Sequence, residues 1–238
     1  MSASALKGKV AVITGASSGL GRGLSLALAK AGASVLLVAR REEKLHEAVD
    51  AIARAGGDAA YHVADVRVVP ALYDLVDVAL ARFKKLDILV NNAGLGYRAP
   101  LSELKRAEIT EMIETDLSAA IYLTQAALPA LARSAPSEIV NVASNAGLES
   151  FAEGTVYCAA KAGLVAFSRA LALELKPQEI RVTTICAGSI DTPFFDTFRP
   201  SIERARMLRV EDAVKALMHV LTSPPNVLYG EIVLRPRT

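Results

Sequence analysis

The sequence predicts an α/β fold: a single doubly wound parallel β-sheet of about seven strands with helices on both faces, one domain spanning 1–238. Three observations carry that expectation. Short β-branched runs alternate with longer amphipathic stretches almost from end to end. Several of the short runs are nearly continuous in Val, Ile and Leu, as strands covered on both faces should be. A composition of 52% hydrophobic and 22% charged residues suits a chain with a sizeable core and argues against disorder.

Taken in order, the strands are expected at 9–14 (KVAVIT), 34–40 (SVLLVAR), 59–64 (AAYHVA), 87–91 (DILVN), 137–141 (SEIVN), 180–186 (IRVTTIC) and 231–234 (EIVL). Helical patterns lie between them at 19–31, 42–55, 70–84, 101–133 (read as two helices), 156–175 and 210–222. The longest stretch without a pattern, 188–209, contains Pro193, Pro200 and three phenylalanines. A loop of that length is either a functional lid or a disordered segment.

Charge and cysteine usage narrow the function classes. A net charge of +2 with no basic block gives nothing for nucleic acid to bind. Cys158 and Cys186 have neither a Cys-x-x-Cys spacing nor a histidine cluster, so no metal site is expected and both read as buried thiols in a reducing compartment. The N-terminal MSASALKGKVAVITG lacks a signal-peptide pattern, and no apolar run was expected to reach the ~20 residues of a membrane span. The expectation is a cytoplasmic protein.

The first strand runs into GASSGLG, Gly15 to Gly21, and then a helix. A glycine-rich turn there brings backbone N–H groups close to a pyrophosphate, and the helix N-terminus adds about half a positive charge. A tight turn without a ligand is the competing reading of the glycines alone. The second strand ends VLLVARREEKL, with Ala39 where an NAD site places a carboxylate for the ribose 2′-OH. Arg40 and Arg41 follow, and a guanidinium there pairs instead with the 2′-phosphate of NADP. Solvated arginines beside Glu42 and Glu43 are the alternative. Asp65, after the third strand, is placed to hold the adenine amino group.

With these features in place the chain resembles the short-chain dehydrogenase/reductase family over nearly its whole length. TGASSGLG, Thr14 to Gly21, matches the family's cofactor loop, and NNAG, Asn91 to Gly94, matches its second signature. Ser144, followed thirteen residues later by Tyr157 and then by Lys161, matches its catalytic serine, tyrosine and lysine. AGSIDT, Ala187 to Thr192, is similar to its nicotinamide-side loop. The resemblance implies a Rossmann-type fold and a nicotinamide cofactor, NADP(H) rather than NAD. Its contacts would come from Gly15, Ser17, Ser18, Gly19, Leu20, Gly21, Arg40, Arg41, Asp65, Val66, Asn92, Ala93, Gly94, Tyr157, Lys161, Gly188, Ile190 and Thr192.

The chemistry so implied is hydride transfer between the nicotinamide and a carbonyl or alcohol. Ser144 would hold the carbonyl oxygen, and Tyr157 would donate the proton. A Lys⁺ about 4 Å from the phenol contributes roughly 4 kcal/mol at an effective dielectric of 20, or about three pKa units, enough to tune a group whose ordinary pKa is near 10. Lys161 would also bind the nicotinamide ribose. Two positions depart from the family. Asp116, forty-one residues before Tyr157, stands where an asparagine usually completes the catalytic set, and Ala187 stands where a proline commonly precedes the glycine. An ionised Asp116 pairs with Lys161 and weakens its pull on Tyr157; a protonated one mimics the amide.

Substrate contacts are expected from 95–98, 148–155 and 194–198, with Tyr97, Phe151, Phe194, Phe195 and Phe198 as apolar surface and Glu149 and Glu153 as acids. A small or medium ketone or aldehyde fits. The ending YGEIVLRPRT resembles dehydrogenases of hydroxy-amino acids or 3-hydroxy acids, an alternative substrate class. Alanine-rich helices at 117–133 and 156–175 suit a homodimer or homotetramer, as the family commonly forms, or inward packing. A rival of another class is a catalytically weak NADP(H)-binding sensor, which Asp116 alone favours.

Overall fold

In the computed structural model, which describes residues 5–196, 198 and 203–237, the β-branched runs pair into one seven-stranded sheet. Its strands are β1 (Val10–Thr14), β2 (Ser34–Ala39), β3 (Ala59–Val63), β4 (Ile88–Asn91), β5 (Ser137–Ser144), β6 (Ile180–Ala187) and β7 (Glu231–Leu234). Every pairing is parallel, in the order β3-β2-β1-β4-β5-β6-β7. The chain winds outward through β1, β2 and β3, then returns to place β4 on the other side of β1. That reversal opens a crevice at the carboxyl ends of β1 and β4, where open α/β sheets take their ligands.

Successive residues of the inner strands feed two cores. Ala11 and Ile13 of β1, with Val35 and Leu37 of β2, point to one face; Val12, Leu36 and Val38 point to the other. The first face is covered by α1 (Gly19–Lys30), α2 (Glu42–Arg54) and α7 (Val210–Leu221), through Leu24, Leu28, Leu45, Ile52 and Leu217. The second is covered by α3 (Val69–Phe83), α5 (Ala119–Arg133) and α6 (Thr155–Leu175), through Leu72, Leu75, Leu123, Leu131 and Leu171. The fold is therefore the Rossmann-like α/β class expected. The elements begin and end within a residue or two of the expected bounds, except that the helical stretch expected from 101 begins at Arg106 and that β5 runs on to Ser144 and carries that side chain to the rim of the sheet. Pro200 lies outside the described residues.

Two expectations are corrected. The stretch 101–133 is not two separated helices: α4 (Arg106–Ile113) continues through a wide π-turn, Glu114–Ser118, directly into α5. The extra residue of a π-turn is accommodated without breaking the helix, and such turns are concentrated at functional sites. This one contains the buried Asp116. Second, the helical stretch Thr155–Gln178 is long and apolar enough, by length and composition, to cross a membrane. Its place explains that composition: α6 packs on the sheet and buries Tyr157, Lys161, Leu164, Ser168 and Leu171 within the protein. Many of the alanines of α5 and α6, among them Ala120, Ala127, Ala130 and Ala160, also pack inward.

A buried polar chain ties the elements that carry the site. Asn91 Nδ2 on β4 donates to Asn141 Oδ1 on β5 at 2.8 Å and to Thr124 Oγ1 on α5 at 3.0 Å. Asn141 Nδ2 donates to Ser168 Oγ on α6 at 2.8 Å. With both partners buried, each bond removed leaves a desolvated donor or acceptor. Asn141→Ala is expected to lower stability by about 2–3 kcal/mol, seen as a reduced urea midpoint with unchanged m.

Candidate active site

The loops that leave β1, β2, β3, β4, β5 and β6 all emerge at one edge, because parallel strands end on the same side. They line a cleft of about 1050 Å³. Gly15 sits there with a positive φ of 68°, and a Cβ on it would lie 2.8 Å from Asn92 Nδ2. A Cβ on Gly21 would meet Asn92 Nδ2 at 2.5 Å and the Gly15 carbonyl oxygen at 2.6 Å. These glycines let the β4 loop close against the first helix, and Asn92 Nδ2 locks the approach by donating to Thr14 O at 2.8 Å. Ser18 precedes α1 without capping it through its side chain. The first N–H groups of α1 are the orphan donors of any helix start, and here they face the cleft floor lined by Ser17, Ser18, Gly19, Leu20 and Gly21.

At the end of β2, Ala39, Arg40 and Arg41 all line the cleft. Arg41 Nη2 donates to Ser17 Oγ at 2.9 Å and to Ser18 Oγ at 2.7 Å, which lays its guanidinium along the glycine turn. Arg40 is exposed and stands 4.0 Å from Asp65 and 3.9 Å from Glu111. Asp65 lines the cleft with Val66, but its carboxylate is clamped by Arg67, whose Nε donates to it at 2.9 Å. The hydrogen bond from Arg67 holds the Asp65 carboxyl below the usual range. Asn92, Ala93 and Gly94 from β4, and Gly188, Ile190 and Thr192 after β6, complete the wall. A cleft with a helix N-terminus at its middle, guanidinium groups at one end and a phenol at the other fits a dinucleotide in its shape and its donors.

The Ser144–Tyr157–Lys161 group lies at the far end. Tyr157 and Lys161, one turn apart on α6, are both buried, and Ser144 lies within hydrogen-bonding reach of the phenol. Lys161 Nζ stands 5.8 Å from the centre of the Tyr157 ring. It is held by Asp116 Oδ1 at 3.1 Å and by the Val142 carbonyl at 3.2 Å. Asp116 Oδ1 also accepts from the Leu95 backbone N–H at 3.2 Å, while Oδ2 is buried without a partner among the described residues. The structure thus realises the direct Asp116–Lys161 contact.

The electrostatic balance differs from the simple expectation of a lysine lowering the tyrosine. Burial is the largest influence on Tyr157 and pushes its phenol up; Lys161 pulls it down, Asp116 pushes it up again, and Ser144 lowers it slightly. The net direction is upward, because a phenolate loses more in leaving water than one partly neutralised ammonium returns. Burial likewise raises the Asp116 carboxyl against the pull of Lys161. For Lys161 burial favours the neutral amine, but the charges of Asp116 and Tyr157 together outweigh it and the ammonium is stabilised.

On the substrate side, Phe151, Phe194, Phe195 and Phe198 line the cleft beside Leu95 and Arg98. Tyr97 is not among the lining residues. Its hydroxyl donates to Glu111 Oε2 at 2.7 Å, which ties it to α4. Sequence reasoning passed over Arg235 and Pro236, which also line the cleft. They were within reach: β7 is parallel to its neighbour, so the residues after it must emerge at the same rim as every other site loop. The Gly188 N–H donates to Leu234 O at 2.8 Å and fixes that juxtaposition.

Comparison with known proteins agrees with this geometry. Residues 9–203 match the model of the family described as short chain dehydrogenase. An uncharacterized oxidoreductase of Staphylococcus epidermidis is 32% identical over 231 residues, covering 97% of this chain and 98% of that one. A relative in Staphylococcus aureus, likewise an uncharacterized oxidoreductase, is 31% identical over 238 residues, with 97% and 98% covered. Among solved structures, the alcohol dehydrogenase of the archaeon Thermococcus sibiricus, complexed with 5-hydroxy-NADP, superposes with a TM-score of 0.89 at 30% identity over 96% of each chain. A metagenomic short-chain oxidoreductase in complex with NADP gives 0.87 at 33% identity, over 99% of this chain and 100% of that one. The chain belongs to the short-chain dehydrogenase/reductase family of oxidoreductases.

Asp116 raises Tyr157, so an amide in its place is expected to move the alkaline-rising limb of alcohol oxidation, which needs the phenolate, to lower pH. The pH–rate profiles of Asp116→Asn and the parent, measured side by side, check this. Superimposable profiles would remove the idea that this carboxylate tunes the site.

Proposed function

We propose that this member of the family is an NADP(H)-dependent enzyme that moves a hydride between the nicotinamide and the carbonyl or alcohol carbon of a small organic substrate. The observation that carries the reading is one cleft with the Ser144–Tyr157–Lys161 group at one end and the Arg40–Arg41 pair at the other. When bound, the reduced cofactor supplies the hydride. Ser144 donates a hydrogen bond to the carbonyl oxygen, on which negative charge develops. Tyr157, kept protonated by its burial, gives that oxygen its proton. Lys161 stabilises the phenolate left behind, and Asp116 fixes where its ammonium stands.

Preference for NADP(H) is supported by Ala39, which offers no carboxylate to a ribose 2′-OH, and by two guanidinium groups suited to a 2′-phosphate. The NADP-type ligands of the two solved relatives point the same way. We further read the protein as a cytoplasmic homodimer or homotetramer. That reading is supported by the unpaired buried thiols Cys158 and Cys186 and by Leu173 and Tyr122, which stay exposed on α6 and α5.

A panel of carbonyls and alcohols assayed with NADPH/NADP and NADH/NAD tests the reading. Turnover should be found with the phosphorylated cofactor, and Tyr157→Phe should lower kcat by about 10²–10⁴ while NADPH still binds. NADPH binding with no turnover, indifferent to Tyr157→Phe, would mark a sensor. In the same assays Arg41→Ala should raise KM for NADPH by about tenfold or more, the loss of a charge-assisted contact, with a smaller effect on NADH.

A further inference from the structure

Four of the six phenylalanines in this chain converge on the catalytic tyrosine. Phe198 is their hub. Its ring lies 5.8 Å from Tyr157, 5.8 Å from Phe194, 5.7 Å from Phe195 and 6.1 Å from Phe151, mostly edge to face. Phe194 stands 5.9 Å from Tyr157 as well. The cluster extends beyond one loop: Phe151 comes from the segment after β5 and the other three from the segment after β6. Behind them, Gly96 of the β4 loop leaves the space that the rings use. A Cβ on Gly96 would lie 2.9 Å from Phe198 Cε2 and 3.0 Å from Phe194 Cζ. Three loops thus build one apolar wall against the reacting phenol.

The charges at this end of the cleft are already answered. Arg98 Nε stands 3.2 Å from Glu153 Oε2, an ion pair without hydrogen-bond alignment, and its guanidinium carbon lies 5.8 Å from the centre of the Phe151 ring. Arg235 is gripped by Glu149 through two hydrogen bonds, of 2.6 and 3.0 Å. Lys161 faces Asp116. Among the described residues lining the substrate end, every cation therefore has an acid beside it. A carboxylate on the substrate would therefore share a cation with an acid already beside it, at a reduced electrostatic gain, while packing against an apolar wall.

We infer that the substrate is an uncharged carbonyl compound, or its alcohol, bearing an apolar ring-sized group on the carbon that reacts. In this assignment Phe198 and Phe194 set specificity by packing on that group, and Gly96 sets how deeply the rings recede. The inference rests on the oxidoreductase reading above and goes further, ranking neutral ketones above the hydroxy-acid substrates that the C-terminal sequence suggested. Planar groups suit the wall because rings at these separations favour edge-to-face and offset contacts over random packing.

Matched ketones test it: acetone, methyl phenyl ketone, and the phenyl ketone carrying a ring carboxylate, each reduced with NADPH. The phenyl ketone should exceed acetone in kcat/KM by about tenfold to a hundredfold, the worth of burying one ring, and the carboxylated ketone should fall about tenfold below the phenyl one. Phe198→Leu, which keeps an apolar side chain and protects folding, should reduce the phenyl-over-acetone ratio several-fold through KM more than kcat. Gly96→Ala, whose added methyl presses directly on Phe198 and Phe194, should push the rings forward and reduce the same ratio. Turnover that favours acetone or the carboxylated ketone, or a ratio unmoved in both variants, overturns the wall and leaves the oxidoreductase reading standing. If none of the three is reduced, saturation-transfer NMR of the phenyl ketone on the protein with NADP decides. Binding weakened by Phe198→Leu keeps the wall and overturns the oxidoreductase reading; absence of binding overturns the wall as well.

Discussion

An ammonium group buried against a sheet stays charged only if its surroundings hold it, and Lys161 is 4% exposed. An unpaired charge in such a place costs several kcal/mol even after relaxation. Asp116 answers it with a carboxylate oxygen at 3.1 Å and β5 with the Val142 carbonyl at 3.2 Å. These contacts join α6, the π-turn and β5 at one point. The π-turn matters here because it carries Asp116 inward without interrupting the helix from α4 to α5. The Leu95 N–H, bound to the same carboxylate, brings the start of the substrate-side β4 loop into register with the lysine.

That arrangement biases the chemistry. Tyr157 is removed from water, faces a cation, and has an anion behind the cation. Burial and the anion together outweigh the cation, so the phenol is held in its protonated form. In the function proposed above, a protonated phenol is ready to complete the reduction of a carbonyl, and the reverse reaction would begin by removing that proton, at higher pH. An asparagine at position 116 would keep the hydrogen bonding and remove the opposing charge.

The remaining contributions follow from topology. In a parallel sheet every strand delivers its following residues to one rim, so seven separate stretches of sequence meet there. The glycine turn, the arginines after β2, the Asn92–Gly94 turn, Ser144 and the Gly188–Thr192 loop are neighbours for that reason. The buried Asn91–Asn141–Ser168 chain holds β4, β5 and α6 in the registration this requires. Apolar packing between the same elements would tolerate small slides; fixed hydrogen-bond partners do not.

The parallel sheet, the glycine turn and the Ser144, Tyr157 and Lys161 spacing were legible in the residues, because each is local: strand alternation has a period of two, and two side chains four apart on a helix share a face. Arg235, which the sequence reading passed over, follows from strand direction once β7 is seen to be parallel. Other features were decided between segments. The stretch 101–133 read as two helices where a π-turn joins them, since that turn depends on how the segment packs. The apolar run of α6 carried no sign of whether lipid or a sheet would cover it. Tyr97 stood among the aromatic candidates and turned to Glu111 instead, while Phe198 became the centre of the wall. Sequence determined which groups this protein has and the frame that holds them. Tertiary structure decided which of those groups touch, because a contact such as Asp116 with Lys161, forty-five positions apart, depends on packing that no local pattern encodes.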